Sequence, residues 1–122
     1  MSNITELIGK TLTNITNDGE EIRFFDSDGR IWRLYHEQDC CESVTVEDIA
    51  GDLDDLIGSP VLEAEEAFSN TRPEDLPKVE YPDDSETWTF YKFATVKGRV
   101  TIRWYGSSNG YYSESVSFAE AA

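Results

Sequence analysis

The chain has 122 residues, 39% of them apolar, with three Trp, six Tyr and six Phe. That content excludes a disordered chain and suits one domain with its own core. The net charge of −15 opposes direct binding of nucleic acid or anionic membranes and favours partners with basic surfaces. No apolar run approaches the roughly 18 residues of a membrane span, and Met1-Ser2-Asn3 lacks the basic and apolar regions of a signal peptide. The expected compartment is the cytoplasm. The charge is also uneven: residues 1–86 carry 23 Asp or Glu against six Lys or Arg, a balance of −17. Residues 87–122 carry Glu114 and Glu120 against Lys92, Lys97, Arg99 and Arg103, a balance of +2.

Ser2 or Asn3 can cap a short helical turn through Ile4, Leu7 and Ile8 that stops at Gly9. A meander follows. Thr11–Thr16 is β-branched, Asn17-Asp18-Gly19 turns, Glu20–Phe25 alternates, Asp26-Ser27-Asp28-Gly29 turns, and Arg30–His36 forms a third strand. Ile22 and Phe24 are placed on one face, Trp32 and Leu34 on another. Thr45-Val46-Glu47-Asp48 resembles a capping box before Ile49, Leu53, Leu56 and Ile57. This predicts one or two short helices over residues 45–58, weakened at Gly51 and ended by Gly58-Ser59-Pro60. Pro60–Ala67 is ambiguous between strand and helix.

Residues 69–86 hold Pro73, Pro77 and Pro82 among acids and are read as a long surface loop. Three strands close the chain: Thr87–Val96, Arg99–Tyr105 and Tyr111–Phe118. Within the second, Val100, Ile102 and Trp104 point one way and Thr101, Arg103 and Tyr105 the other. The expected class is α+β: a mainly antiparallel sheet from two meanders, with the short helices on one face.

Three segments carry chemistry. In His36-Glu37-Gln38-Asp39-Cys40-Cys41-Glu42, the ligand types His36, Asp39, Cys40, Cys41 and Glu42 lie close together. Contiguous cysteines cannot easily face one zinc ion, so no metal site is assigned and no cofactor is implied. A disulfide between neighbours would close a strained ring, so free thiols are expected, with one cysteine packed as a small apolar residue. A thiol enzyme at His36–Cys41 is the sharper alternative, and the surrounding acids oppose it by raising the thiol pKa. The acids of Glu47–Asp55 lack the spacing of a calcium loop and read as a solvated face or as a mimic of phosphates.

The third segment is Arg103–Tyr112. Arg103 and Tyr105, with Arg99, Asn109 and Tyr111, form a candidate ligand-binding face, because aromatics beside arginines stack on and pair with nucleotide-like ligands. The Gly- and Ser-rich stretch lets a backbone approach closely. The bland counterpart is a hairpin whose tyrosines cover an interface, such as that of a homo-oligomer.

The blocks YHEQDCCESV (35–44), GDLDDLIGSPVLEAEE (51–66), WTFYKFATVKG (88–98) and VTIRWYGSSNGYYSESV (100–116) resemble a family of small domains of unknown function common in bacteriophage and prophage genomes. The resemblance covers most of residues 31–118, leaving out 1–30 and 69–86. It implies a phage-type accessory protein acting in the host cytoplasm and supplies no catalytic residues. The function expected is non-enzymatic binding: sequestration of a small nucleotide-like signal of host defence on the C-terminal sheet. The alternatives are an acidic inhibitor of a host nuclease or polymerase, and a metal- or thiol-dependent enzyme at His36–Cys41.

Overall fold

A computed structural model describes residues 3–38, 42–70, 85–108 and 113–121. Their architecture is two four-stranded antiparallel sheets, which corrects the α+β expectation. The first sheet orders its strands β1 (Leu12–Asn17), β2 (Glu21–Asp26), β3 (Ile31–Tyr35) and β8 (Ser117–Ala121). In the second the order is β4 (Ser43–Ala50), β7 (Gly98–Ser108), β6 (Ser85–Thr95) and β5 (Glu63–Ser69). Helical structure among the described residues amounts to two 3-10 turns, Ile4–Leu7 and Leu53–Leu56. None of it is long and apolar enough to cross a membrane.

The first meander forms where its turn residues predict. Gly19 and Gly29 take φ of 92° and 83°, values open to glycine without strain. Asp18 Oδ1 accepts from the Glu20 and Glu21 amides at 2.9 and 2.7 Å. Asp26 has the larger role. Its Oδ1 accepts from the Asp28 and Arg30 amides, both at 2.9 Å, and its Oδ2 from Trp32 Nε1 at 3.0 Å. Burial pushes the Asp26 carboxyl up, but these donors, Trp32 first, outweigh it and hold the group below its ordinary value. In register, Ile22 faces Leu34 and Phe24 faces Trp32. All four are buried in the common core, so they share a face that sequence reading had divided in two.

The helix expected over residues 45–58 is a strand and a single turn. β4 pairs with β7, and a bulge falls between Val46, opposite Trp104, and Asp48, opposite Arg103. The extra residue, Glu47, shifts the alternation by one, so Val46 and Ile49 both pack on the core. A spacing of three between inward residues imitates helical periodicity, and that imitation misled the sequence reading. Of the supposed capping box, nothing remains. The second 3-10 turn is instead capped by Asp52, which accepts from the Asp54 amide. Pro60–Ala67 resolves into a bridge residue pair and β5. At the N-terminus the reading holds: Asn3 and Glu6 form a reciprocal cap on Ile4–Leu7. The expected loop 69–86 loses its ends to β5 and β6, and its centre lies outside the described residues.

The two sheets share one core. Phe24 of the first meets Phe93 of the second with ring centroids 5.6 Å apart, and Trp32 stacks on Phe118. Leu7, Leu12, Leu56 and Val61 close one end, where bridges Ile8–Val61, Thr11–Pro60 and Leu12–Ile57 tie the sheets together. This is sandwich packing, in which inward side chains of two sheets interdigitate.

Candidate functional site

β7 alternates as its sequence predicts. Val100, Ile102 and Trp104 are buried in the core, and Arg103 and Tyr105 lie on the outer face. Arg103, Arg99 and Lys97 have acidic or carbonyl partners drawn from earlier in the chain. Arg103 Nε lies 2.8 Å from Glu47 Oε1, at the bulge of β4. Arg99 makes two hydrogen bonds to Glu63, its Nη1 at 2.7 Å from Oε2. Lys97 Nζ donates to the Ile57 carbonyl at 2.7 Å, and the Tyr105 hydroxyl donates to Glu86. Tyr105 also packs on Trp88, which is fully buried. Asn109 and Tyr111 lie outside the described residues.

His36 and Glu42 do come together. His36 Nδ1 lies 2.7 Å from the Ser115 carbonyl oxygen, which can only accept, so this nitrogen carries a proton. Its Nε2 faces Glu42 Oε1 at 3.5 Å, and both side chains are buried. The pair pins the segment leading into β8 against the start of β4. Asp39, Cys40 and Cys41 lie outside the described residues. Among the described residues, no group of three or more His, Cys, Asp or Glu side chains is placed to hold a metal ion.

One cavity lies on the inner side of the second sheet, between β5, β6 and the segment Ser113–Val116. Its volume is about 370 Å³, within the range of small-molecule sites. Glu66 and Phe68 of β5, with Asn70 just after it, line one wall, and Ser85, Thr87, Thr89 and Tyr91 of β6 form the floor. β6 directs hydroxyl-bearing residues inward at positions 87, 89 and 91 before Phe93 enters the core. Sequence reading treated β6 as an ordinary core strand and missed this. The signal that could have revealed it is a hydroxyl at every second position on the inward face.

The covering segment is held by its own contacts. Buried Glu114 accepts from Thr87 Oγ1 at 2.8 Å and from Ser108 Oγ. Gly106 allows this close crossing: a Cβ there would lie 2.8 Å from Glu114 Cβ and 2.9 Å from its carbonyl oxygen. A close backbone approach was expected in this region, and the backbone that approaches is the chain's own. The Tyr91 hydroxyl donates to the Val116 carbonyl at 3.5 Å, with the Glu66 carboxylate beside it. Burial first, and the Glu66 carboxylate second, push this phenol far above its ordinary value. Tyr91 is therefore a neutral donor across the whole working pH range.

A small all-β sandwich with a cleft beside one sheet edge is the class these features define. The chain belongs to the family described as Domain of unknown function (DUF7448), whose model matches residues 5–118. That span takes in residues 5–30 and 69–86, which the resemblance of sequence blocks had left out. Neither the curated proteins nor the solved structures gave a match.

Proposed function

We propose that this protein is a non-enzymatic accessory binding protein of phage type that captures a small ligand in the cleft between β5, β6 and Ser113–Val116. The observation that carries this reading is the cleft itself, preformed between β5, β6 and Ser113–Val116 and lined by both carboxylates and an exposed phenylalanine. The phage-like sequence blocks support the accessory role. Its polar groups converge from three separate parts of the chain on one space, the usual construction of a binding site.

The outer-face location for a nucleotide-like signal has weaker support. Arg99 and Arg103 would have to leave Glu63 and Glu47 before pairing with a phosphate. Sequestration remains the proposed role, and the cleft is its preferred place.

The test is native mass spectrometry of the full chain purified from phage-infected host cells. A small-molecule adduct is expected, and it should be lost in Ser85→Trp, which places an indole at a half-buried lining position. Circular dichroism would confirm that this variant folds. An adduct that survives the plug would move the site elsewhere. Co-purification of a basic protein in its place would favour the acidic-inhibitor reading. Titration calorimetry against cyclic and linear nucleotides asks separately whether the ligand is nucleotide-like.

A further inference from the structure

We infer that the cleft takes a small organic cation: an ammonium or guanidinium carried on an apolar body about the size of one aromatic ring. This rests on the reading of the cleft as a ligand site and names the chemistry it selects.

The charge of the lining is one-sided. Glu66 and Glu114 contribute carboxylates, and among the described residues none that lines the cleft is Lys, Arg or His. Contrast the outer face of the same sheet, where Arg99 and Arg103 each meet a glutamate. A ligand entering the cleft meets negative charge with no cation among its described walls. Phosphate or carboxylate would be repelled there, while a cation supplies the missing partner.

The hydrogen-bond inventory points the same way. The Thr87 hydroxyl proton is directed at Glu114, and the Tyr91 hydroxyl donates to the Val116 carbonyl. Both donors are used within the protein, which leaves the half-buried Thr87 oxygen as an acceptor toward the cleft. Glu66, itself exposed, has acceptor capacity for a ligand. The Val116 carbonyl adds another acceptor. A wall of acceptors selects a ligand rich in N–H donors, and a charged donor makes the stronger bonds.

The body of the ligand is set by the apolar side. Phe68 is 73% exposed at the cleft, an unusual state for a phenylalanine on a β-strand. Its ring offers a stacking or edge contact, and its face can receive the cation.

Three probes of matched shape separate the terms: 2-phenylethylamine, 2-phenylethanol and 3-phenylpropionate, titrated into the full chain by calorimetry and amide NMR. The amine should bind roughly 10-fold or more tightly than the alcohol, the worth of one charge-assisted bond. The carboxylate should give no saturable shift. Glu66→Gln should weaken the amine by about the same factor and leave the alcohol unchanged. Because Glu66 is exposed, this variant should keep the parent urea midpoint. Phe68→Ala should weaken amine and alcohol alike. If the alcohol or carboxylate binds in the cleft as tightly as the amine, or Glu66→Gln leaves the amine untouched, the cation inference fails while the ligand site stands. If no probe moves the amides of Thr87, Tyr91 or Val116, and no adduct accompanies the purified protein, both readings fail together.

Discussion

In the first sheet, most polar contacts join neighbours, the exposed pair Arg30–Glu120 excepted. Glu21 pairs with Arg23 on its own strand and with Arg33 diagonally across the hairpin, and Asp26 closes the turn that follows it. In the second sheet the pairs join distant parts of the chain: Glu47 with Arg103, Glu63 with Arg99 and Tyr105 with Glu86. The difference concerns more than bookkeeping of charge. Along the chain, acids and bases look segregated, with a basic excess in the last third. In space, the acidic strands β4 and β5 flank β7 and β6, so most of that excess is matched. Along the cleft, the described lining residues carry the carboxylates of Glu66 and Glu114 and no cation.

Removing a core ring where the sheets meet gives the largest expected effect. Phe24→Ala should cost about 3–5 kcal/mol, with fluorescence and circular dichroism reporting one coincident urea transition. Two separated transitions would mean that the sheets fold independently, and the contrast between them would become one between two units. Next comes the crossing at Gly106. Gly106→Ala should destabilise by about 1–3 kcal/mol, because the covering segment or β7 must shift to admit the methyl group. The same variant should disturb amide resonances of Thr87 and Ser115, far from the first hairpin. Unchanged resonances there would show that Ser113–Val116 is not held against β7.

Asp26 tests the locally organised sheet by pH. Its carboxyl titrates below the unfolded value, so its contribution is present above the ordinary carboxylate range near pH 4 and is lost as pH falls through the depressed folded value. Asp26→Asn should cost about 1–2 kcal/mol at neutral pH and flatten the acid limb of a plot of urea midpoint against pH. A variant that retains the full acid limb would place the titrating group elsewhere, with Glu21 the next to consider, since Arg23 and Arg33 hold it low as well.

Smallest is the contrast between the two guanidiniums of the second sheet. The Arg103 side chain is 12% exposed and that of Arg99 75%. Arg103→Ala should cost about 1 kcal/mol, and Arg99→Ala less than about 0.5 kcal/mol, because solvent screens the exposed pair. Equal costs would mean that burial does not distinguish them.

Several features could be read directly because they depend on near neighbours. The hairpins at Asn17–Gly19 and Asp26–Gly29, the cap at Asn3 and the inward set Val100, Ile102 and Trp104 follow from turn chemistry and from period-two alternation. β4 escaped for a specific reason. One inserted residue at Glu47 turned a strand's period into something like a helix's, and such an insertion makes sense only beside its partner β7. β8 begins at Ser117, later than its apolar pattern suggested, because Ser113–Val116 lies over the cleft and carries no strand pairing.

By itself, then, the sequence determined the first meander, its turn positions, the inward face of β7 and the net acidity. These are local matters of backbone preference and alternation, whereas the third strand expected to follow β7 pairs with β3 in the other sheet. Tertiary structure alone decided where charge is left unmatched, because ion pairs such as Glu47–Arg103 and Glu63–Arg99 form between segments remote in sequence. It also decided the cleft, whose walls come from β5, β6 and Ser113–Val116 and meet only when the two sheets close over a common core.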